Sequence, residues 1–326
     1  IHSTAGNLNN HIGVPLTILR APLDAAAWVI EMGMNHLGEI HQLQDIAGPT
    51  VRLITNVGPA HTEGVGGIEG VARAKGELFD GARPGDICVI NHDDPRVRRM
   101  SLPEGVRVVR FGTAPVCDVR LTDVALDPNA LTTRFRLETD LGVGLGHIDS
   151  PGVHLAMNAA AAATVAVALH QPIEVAAAAI SGYAPVGARQ RVERLDNGIV
   201  VLNDAYNANP ISTAASLRTL AAAAGSRRIA LLGDMLELGV EEADYHQQML
   251  SLALSLGLEQ IGLVGPRYAA AHAVLGAPGQ VLIAETADGL GPLLADQLSS
   301  GDIVLLKGSR GMAMERLLTT LTQKGQ

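Results

Sequence analysis

Aromatic side chains are scarce in this sequence: three Phe, four Tyr and one Trp, together 2% of residues. Its core must therefore be built from Ala, Val, Leu and Gly, small groups that let helices lie close on sheets. Only two cysteines occur, Cys88 and Cys117, with neither CxxC spacing nor a paired framework. That excludes a disulfide scaffold and suits a reducing cytoplasm, with both thiols as buried filler. No Lys/Arg run interleaves with aromatics, and the formal net charge is −9. Nucleic acid is not expected as a partner, because neutralising phosphates needs a basic face. An anionic ligand would have to be held locally, by backbone N–H groups, helix N-termini, metal ions or single basic residues. Long hydrophobic runs are missing too. The longest uncharged helical stretch, residues 155–169, is Ala-rich and interrupted by Asn158, short of the ~20 residues a bilayer span takes. Neither an integral membrane segment nor a signal peptide is expected.

What is present is a chain of 326 residues, 47% apolar and 17% charged, enough for two domains with substantial cores. It opens on Ile1-His2-Ser3-Thr4 without Met, inside an apparent motif. The expectation is a cut or incompletely represented chain.

Short apolar runs alternate with helical spacing along the first part. Residues 27–32 read as a buried strand, 38–47 as a helix, 51–57 as a strand, 70–79 as a helix and 86–91 as a strand. Strands alternating with helices predict a mostly parallel sheet covered on both faces. Between 106 and 148 the pattern shifts to alternating stretches (106–111, 119–126, 132–138, 143–148) separated by Pro, Asn, Asp and Gly turns. A small antiparallel sheet is expected there, followed by helices over 155–169 and 172–181. The break at 182–188 predicts a boundary, with domains over 1–186 and 187–326. Beyond it, strands at 199–203, 228–232, 260–264, 281–283 and 302–306 alternate with helices at 212–224, 241–256, 268–275 and 289–298. The fold class is α/β, its second domain doubly wound and Rossmann-like.

In open α/β sheets ligands bind beyond the carboxyl ends of the strands. Glu31, Asn56 and the Asn91-His92-Asp93-Asp94 string occupy such ends in the first part. Asn203-Asp204, Gly233-Asp234 and Lys307-Gly308-Ser309-Arg310 do so in the second. Any one acid could simply cap a following helix. Recurrence at strand after strand favours a metal–phosphate site.

The motifs at these ends carry a family resemblance. Thr4-Ala5-Gly6-Asn7-Leu8-Asn9-Asn10-His11-Ile12-Gly13-Val14-Pro15, Ile30-Glu31-Met32-Gly33-Met34-Asn35, Ile54-Thr55-Asn56-Val57-Gly58-Pro59-Ala60-His61 and Ala72-Arg73-Ala74-Lys75-Gly76-Glu77 come in order. Asp204-Ala205-Tyr206-Asn207-Ala208-Asn209-Pro210, Gly233-Asp234-Met235-Leu236-Glu237 and Lys307-Gly308-Ser309-Arg310 follow. Together they resemble the Mur ligase family, in its branch that adds D-alanyl-D-alanine.

The resemblance implies an incomplete ATPase-type central domain and a C-terminal domain. It also implies ATP-dependent amide-bond formation through an acyl phosphate, in peptidoglycan precursor synthesis in a bacterial cytoplasm. The implied substrates are UDP-N-acetylmuramoyl-tripeptide and D-alanyl-D-alanine, handled by a monomer. ATP and two Mg²⁺ ions are the implied cofactors, with Glu31 and His61 as metal ligands. Lys75 matches a lysine that carries a carbamate, whose oxygens would hold the second ion. Imidazole is an unusual partner for so hard a cation. By itself Lys75 would read as a solvated helix lysine.

By the same resemblance Asn158 contacts adenine and Asp204 the ribose. Arg189 approaches the γ-phosphate, with Arg191 as the alternative. Asn7, Asn9 and Asn10 resemble a loop near the uridine-diphosphate substrate, although Asn also serves plain turns. Tyr206, Asn207, Asn209, Ser309 and Arg310 are candidates for the peptide and dipeptide region, and Lys307 for that region or the acyl phosphate.

One element is absent. No Gly-x-x-x-x-Gly-Lys-Ser/Thr string occurs between Ile1 and Gln326, and a complete ligase needs that loop to cradle phosphates. In the family it lies shortly before the segment matching Thr4, so this chain alone is expected to be inert. The alternatives are a folylpolyglutamate synthetase-like ligase, or a non-catalytic binding module that has lost the loop.

Overall fold

The computed structural model describes residues 1–60, 62–276 and 281–323. In chain order the elements are β1 (His2–Ser3), α1 (Gly13–Leu19), β2 (Trp28–Val29), α2 (Glu39–Ala47), β3 (Val51–Ile54), α3 (Thr62–Val65) and α4 (Ile68–Asp80). Next come β4 (Ile87–Asn91), α5 (Pro95–Arg98), β5 (Arg107–Gly112), β6 (Val119–Asp127), β7 (Thr132–Thr139), β8 (Gly142–Ile148), α6 (Val153–Ala168) and α7 (Ile173–Ile180). The remainder is β9 (Arg191–Arg194), β10 (Val200–Asp204), α8 (Pro210–Ala222), β11 (Arg227–Gly233), α9 (Glu242–Ser255), β12 (Gln260–Val264) and α10 (Pro266–Leu275). The chain ends in β13 (Val281–Ala284), α11 (Ala287–Ala295), β14 (Asp302–Lys307) and α12 (Leu317–Gln323). Two compact units result. One holds Ile1–Leu121, Leu137–Val143 and Ala160–Ala176; the other holds Thr122–Arg136, Gly144–Ala159 and Ala177–Gln326.

The larger sheet of the first part runs in the order β3-β4-β5-β6-β7-β8. Strands β3 to β6 pair in parallel, while β6, β7 and β8 follow one another through short turns. Asp127 Oδ1 accepts the Asn129 and Ala130 N–H groups in the first of those turns. Residues 106–111, expected among the antiparallel strands, instead pair in parallel with β4, Ile87 opposite Arg107. Period-2 alternation is common to both sheet types, and pairing direction is set by the connection, here a crossover through α5.

Burial follows small side chains, as the composition requires. Val71, Ala74 and Phe79 of α4 pack with Leu43, Ile54, Cys88 and Val97 in the first unit's core. The run at 27–32, expected to be buried, is not: Trp28 is 45% and Val29 61% exposed. The reason is that β2 is only two residues long and, among the described residues, pairs with β1 alone.

The second unit contains a sheet in the order β13-β12-β11-β14-β10-β9. Its pairs are parallel apart from β9 against β10. Leu217 of α8, Leu250 of α9 and Tyr268 of α10 share one core cluster. Leu290 of α11 and Leu321 of α12 belong to another, which makes the unit doubly wound. Strand β9 escapes the sequence reading because Arg191-Val192-Glu193-Arg194 is mostly charged. Such charge suits an edge strand, where it discourages pairing with other chains.

Candidate active site

In the first unit the loop after β1 is ordered by its own asparagines. Asn10 Oδ1 accepts the N–H groups of Ile12 and Gly13, at 3.1 and 2.9 Å, and so starts α1. The Asn7 carbonyl accepts the Asn9 N–H at 2.8 Å. Asn9 alone reaches across, its Nδ2 donating to Glu31 Oε1 at 2.9 Å, while its carbonyl accepts the Gly33 N–H. Glu31 is exposed at the end of β2, and its N–H donates to Thr4 Oγ1. A cleft of about 320 Å³ opens beside this contact, walled by Asn9, Asn10, Asn35, Glu39 and Gln42 among others.

A second corner lies beyond β3 and β4. Lys75, half-buried on α4, donates from Nζ to the Asn56 carbonyl at 2.8 Å. Val57 N–H donates to Asp94 Oδ2 at 2.7 Å, which ends β3 at Ile54 rather than at residue 57. Asp94 Oδ1 also accepts Arg96 and Val97 N–H groups and starts α5. Burial lowers the Lys75 pKa, opposed by the charge of Asp94. Asp94 is thus both a helix cap and the counter-charge to Lys75, a double part that its place in a polar strand-end string did not reveal.

His61 lies outside the described residues. Among the described residues no group of three or more His, Cys, Asp or Glu could hold a metal ion. A lone carboxylate such as Glu31 suits Mg²⁺ only where phosphate oxygens and water complete the shell, which is how this ion is usually bound.

The second unit collects its polar groups at the carboxyl ends of β10, β11 and β14. Lys307 is 2% exposed. Its Nζ stands 2.8 Å from Asp204 Oδ2 and donates to the Asn207 carbonyl at 2.6 Å. Ser216 Oγ gives Asp204 Oδ2 a second hydrogen bond, at 2.7 Å. Asn209 caps α8 in a reciprocal capping box with Ser212, so the helix starts two residues before the predicted 212. Ser309 is buried and joins loops: its N–H donates to the Asp234 carbonyl, and its Oγ accepts the Leu236 N–H at 2.8 Å. Arg310 is exposed and donates to Glu315. Asn158 stands exposed on α6. Arg189 lies over the Tyr206 ring, its guanidinium carbon 4.1 Å from the centroid.

Sequence reading passed over two histidines here. Burial lowers the His154 pKa, with the Asp204 charge and Gln190 opposing and Lys307 adding to the fall. His246 is buried, its Nε2 accepting the Met235 N–H at 2.9 Å and its Nδ1 facing the Glu242 carbonyl at 2.6 Å. With an acceptor and a donor nitrogen so assigned, the ring is neutral. Asp234 is fully buried at the start of α10, its oxygens accepting the Arg267 and Tyr268 N–H groups. It therefore anchors a helix rather than a ligand.

Residues 1–166 match the family model described as the Mur ligase middle domain. Residues 190–310 match the one described as the Mur ligase, glutamate ligase domain. The chain belongs to the Mur ligase family. A Bacillus subtilis relative named UDP-N-acetylmuramoyl-tripeptide–D-alanyl-D-alanine ligase is 31% identical over 99% of the chain and 70% of its own length. An Escherichia coli relative of the same name is 34% identical over 99% of the chain and 71% of its length. Among solved structures, MurF from Acinetobacter baumannii superposes with a TM-score of 0.89 at 29% identity, covering 99% of this chain and 70% of that one. MurF from Thermotoga maritima, solved with ADP, gives 0.86 at 26% identity, covering 99% and 73%. This Mur ligase chain thus spans about 70% of the relatives it matches. No described helix is long and apolar enough to cross a membrane.

Proposed function

We propose that this chain supplies the central and C-terminal parts of an ATP-dependent ligase that joins D-alanyl-D-alanine to UDP-N-acetylmuramoyl-tripeptide. The observation that carries this reading is the match of 99% of the chain to relatives of that name at 31% and 34% identity. The domain boundary lies at 186/187, consistent with family matches that end at 166 and resume at 190. The enzyme works as a monomer in the bacterial cytoplasm.

The reaction runs in two steps. The tripeptide's terminal carboxylate takes the γ-phosphoryl group of ATP, releasing ADP. The amine of D-alanyl-D-alanine then attacks the acyl carbon, and phosphate leaves with the C–O electron pair as a proton is lost from nitrogen. Mg²⁺, when bound, screens the crowded oxygens from one another. Glu31, held in place by Asn9 Nδ2, offers it a carboxylate, and His61 is the partner ligand.

Lys75 serves as a carbamate. Its lowered pKa favours the neutral amine, the form that adds CO₂ and releases a proton. Asn158 meets adenine, Asp204 the ribose, and Arg189 (or Arg191) the γ-phosphate. Asn7 and Asn9 border the uridine-diphosphate substrate, with Asn10 shaping their turn. Asn207 and Arg310 stand toward the peptide and dipeptide. Asn209 acts through its Oδ1, which caps α8, and Ser309 and Lys307 act by fixing the loops that carry them, since Ser309 Oγ and Lys307 Nζ are already engaged within the protein.

The sequence contains no phosphate loop, so the isolated chain is expected to turn over no ATP. Joining it to the phosphate-loop segment of the Bacillus subtilis relative tests the reading. Continued ADP release, beyond one equivalent per chain, should require both the tripeptide substrate and D-alanyl-D-alanine. A folded, nucleotide-binding chimera that releases no ADP with both substrates present would favour the binding-module alternative.

A further inference from the structure

The residue proposed to approach the γ-phosphate is displayed from a fixed platform. On one side of Arg189, the Ala188 carbonyl accepts the Tyr206 N–H at 2.9 Å. On the other, Gln190 is 2% exposed and holds left-handed backbone, φ 56°. Its carbonyl accepts Ser150 Oγ at 2.7 Å. The tripeptide Ala188-Arg189-Gln190 is therefore pinned at both ends while the Arg189 side chain remains exposed.

The turn that carries Tyr206 is pinned as well. Lys307 Nζ holds Asp204 Oδ2 at 2.8 Å and the Asn207 carbonyl at 2.6 Å, one on each side of Tyr206. The guanidinium of Arg189 then covers the Tyr206 ring at 4.1 Å. Stacking uses the flat face of a guanidinium and leaves its in-plane N–H groups free, the groups that bind phosphate oxygens.

We infer that Tyr206 is a positioning residue, whose ring holds the Arg189 guanidinium face-on so that its N–H edge meets a phosphoryl group. This rests on the reading of Arg189 as a phosphate contact. It moves Tyr206 from the peptide region to the phosphate side of the site. The aromatic face carries the effect, and the hydroxyl is dispensable.

The test uses the 326-residue chain with inorganic tripolyphosphate as probe, read through the Arg189 Nε–Hε NMR signal. Wild type and Tyr206→Phe should show the same ring-current displacement of the Arg189 side-chain protons and bind the probe within about twofold of each other. Tyr206→Leu should lose that displacement and bind about three- to thirty-fold more weakly, with an unchanged melting temperature. Equal binding by Tyr206→Leu would overturn the positioning role. Parallel losses in Tyr206→Phe and Tyr206→Leu would overturn it in favour of the hydroxyl. If wild type itself gives no Arg189 response, while ring-current displacement is present, the phosphate reading of Arg189 fails, and with it the presentation to phosphate.

Discussion

Lys307 Nζ lies 2.8 Å from Asp204 Oδ2, and the two residues are register partners on the adjacent parallel strands β14 and β10. The pair joins two strand ends about a hundred residues apart in sequence, and Lys307 also holds the Asn207 carbonyl in the turn that follows β10. Breaking it from one side leaves a charge with little water to take it. Lys307→Met should therefore destabilise the chain by about 3–5 kcal/mol, and Lys307→Met with Asp204→Asn by clearly less. Urea denaturation of the two variants checks this; equal losses would mean that the pair is not coupled.

His246 predicts a pH dependence. Burial depresses its pKa; the Glu242 carbonyl and the Asp234 and Glu242 charges oppose that, and Arg267 reinforces it. A histidine depressed on folding contributes stability that is complete above its unfolded pKa of about 6.5, and that is lost as pH falls toward the folded value. Stability should thus decline on acidification below about pH 6.5. His246→Phe should flatten that decline. At pH 8 it should cost about 1–3 kcal/mol, because the Met235 N–H is left without its acceptor. Thermal melts from pH 8 to pH 5 give both readings.

Glu259 works in the lower acid range. Hydrogen bonding to Arg228 leads the fall of its pKa to about 2, with burial opposing. A carboxylate so depressed stabilises the fold above its unfolded pKa of about 4.3 and ceases to as pH falls toward 2. Glu259→Gln should remove this part of the acid sensitivity. Because the pair is partly exposed, the effect should also shrink in high salt. Melting temperatures at pH 5 and pH 3, with and without added salt, measure it.

Two glycines with positive φ should respond differently to alanine. At Gly265 (φ +108°) an added Cβ would meet the Asp234 carboxylate at 2.5 Å, whereas at Gly276 (φ +58°) nothing among the described residues lies within 4 Å. Gly276→Ala should cost about 1 kcal/mol from backbone strain alone. Gly265→Ala should cost distinctly more, since it also displaces the carboxylate that starts α10. Chemical denaturation ranks the two, and a reversed order would refute the assigned role of Asp234.

Much of this was legible in the sequence, for a physical reason. A polar residue that ends an apolar run marks the carboxyl end of a strand, and Glu31, Asp204 and Lys307 all do so. Pairing partners were not legible. The parallel partner of β5 and the charged edge strand β9 depend on connections and neighbours that periodicity does not encode. The Lys307–Asp204 pair and the Arg189–Tyr206 contact depend on which chain segments meet in space. Trp28 misled the reading because a run of apolar residues signals burial only where something covers it, and among the described residues β2 has β1 as its sole partner. Of the metal ligands the sequence motifs imply, Glu31 is found engaged with Asn9, while His61 falls outside the described residues.

The central claim concerns the bond that is made. It is tested most directly by mass spectrometry of the nucleotide product formed when the chain, joined to a phosphate-loop segment, meets ATP, Mg²⁺, UDP-N-acetylmuramoyl-tripeptide and D-alanyl-D-alanine. The account predicts a product heavier by one D-alanyl-D-alanine less one water, formed with one ADP and one phosphate, and abolished by Glu31→Ala. Unchanged tripeptide substrate beside a folded, nucleotide-binding chimera would contradict it, as would the same product from the chain alone.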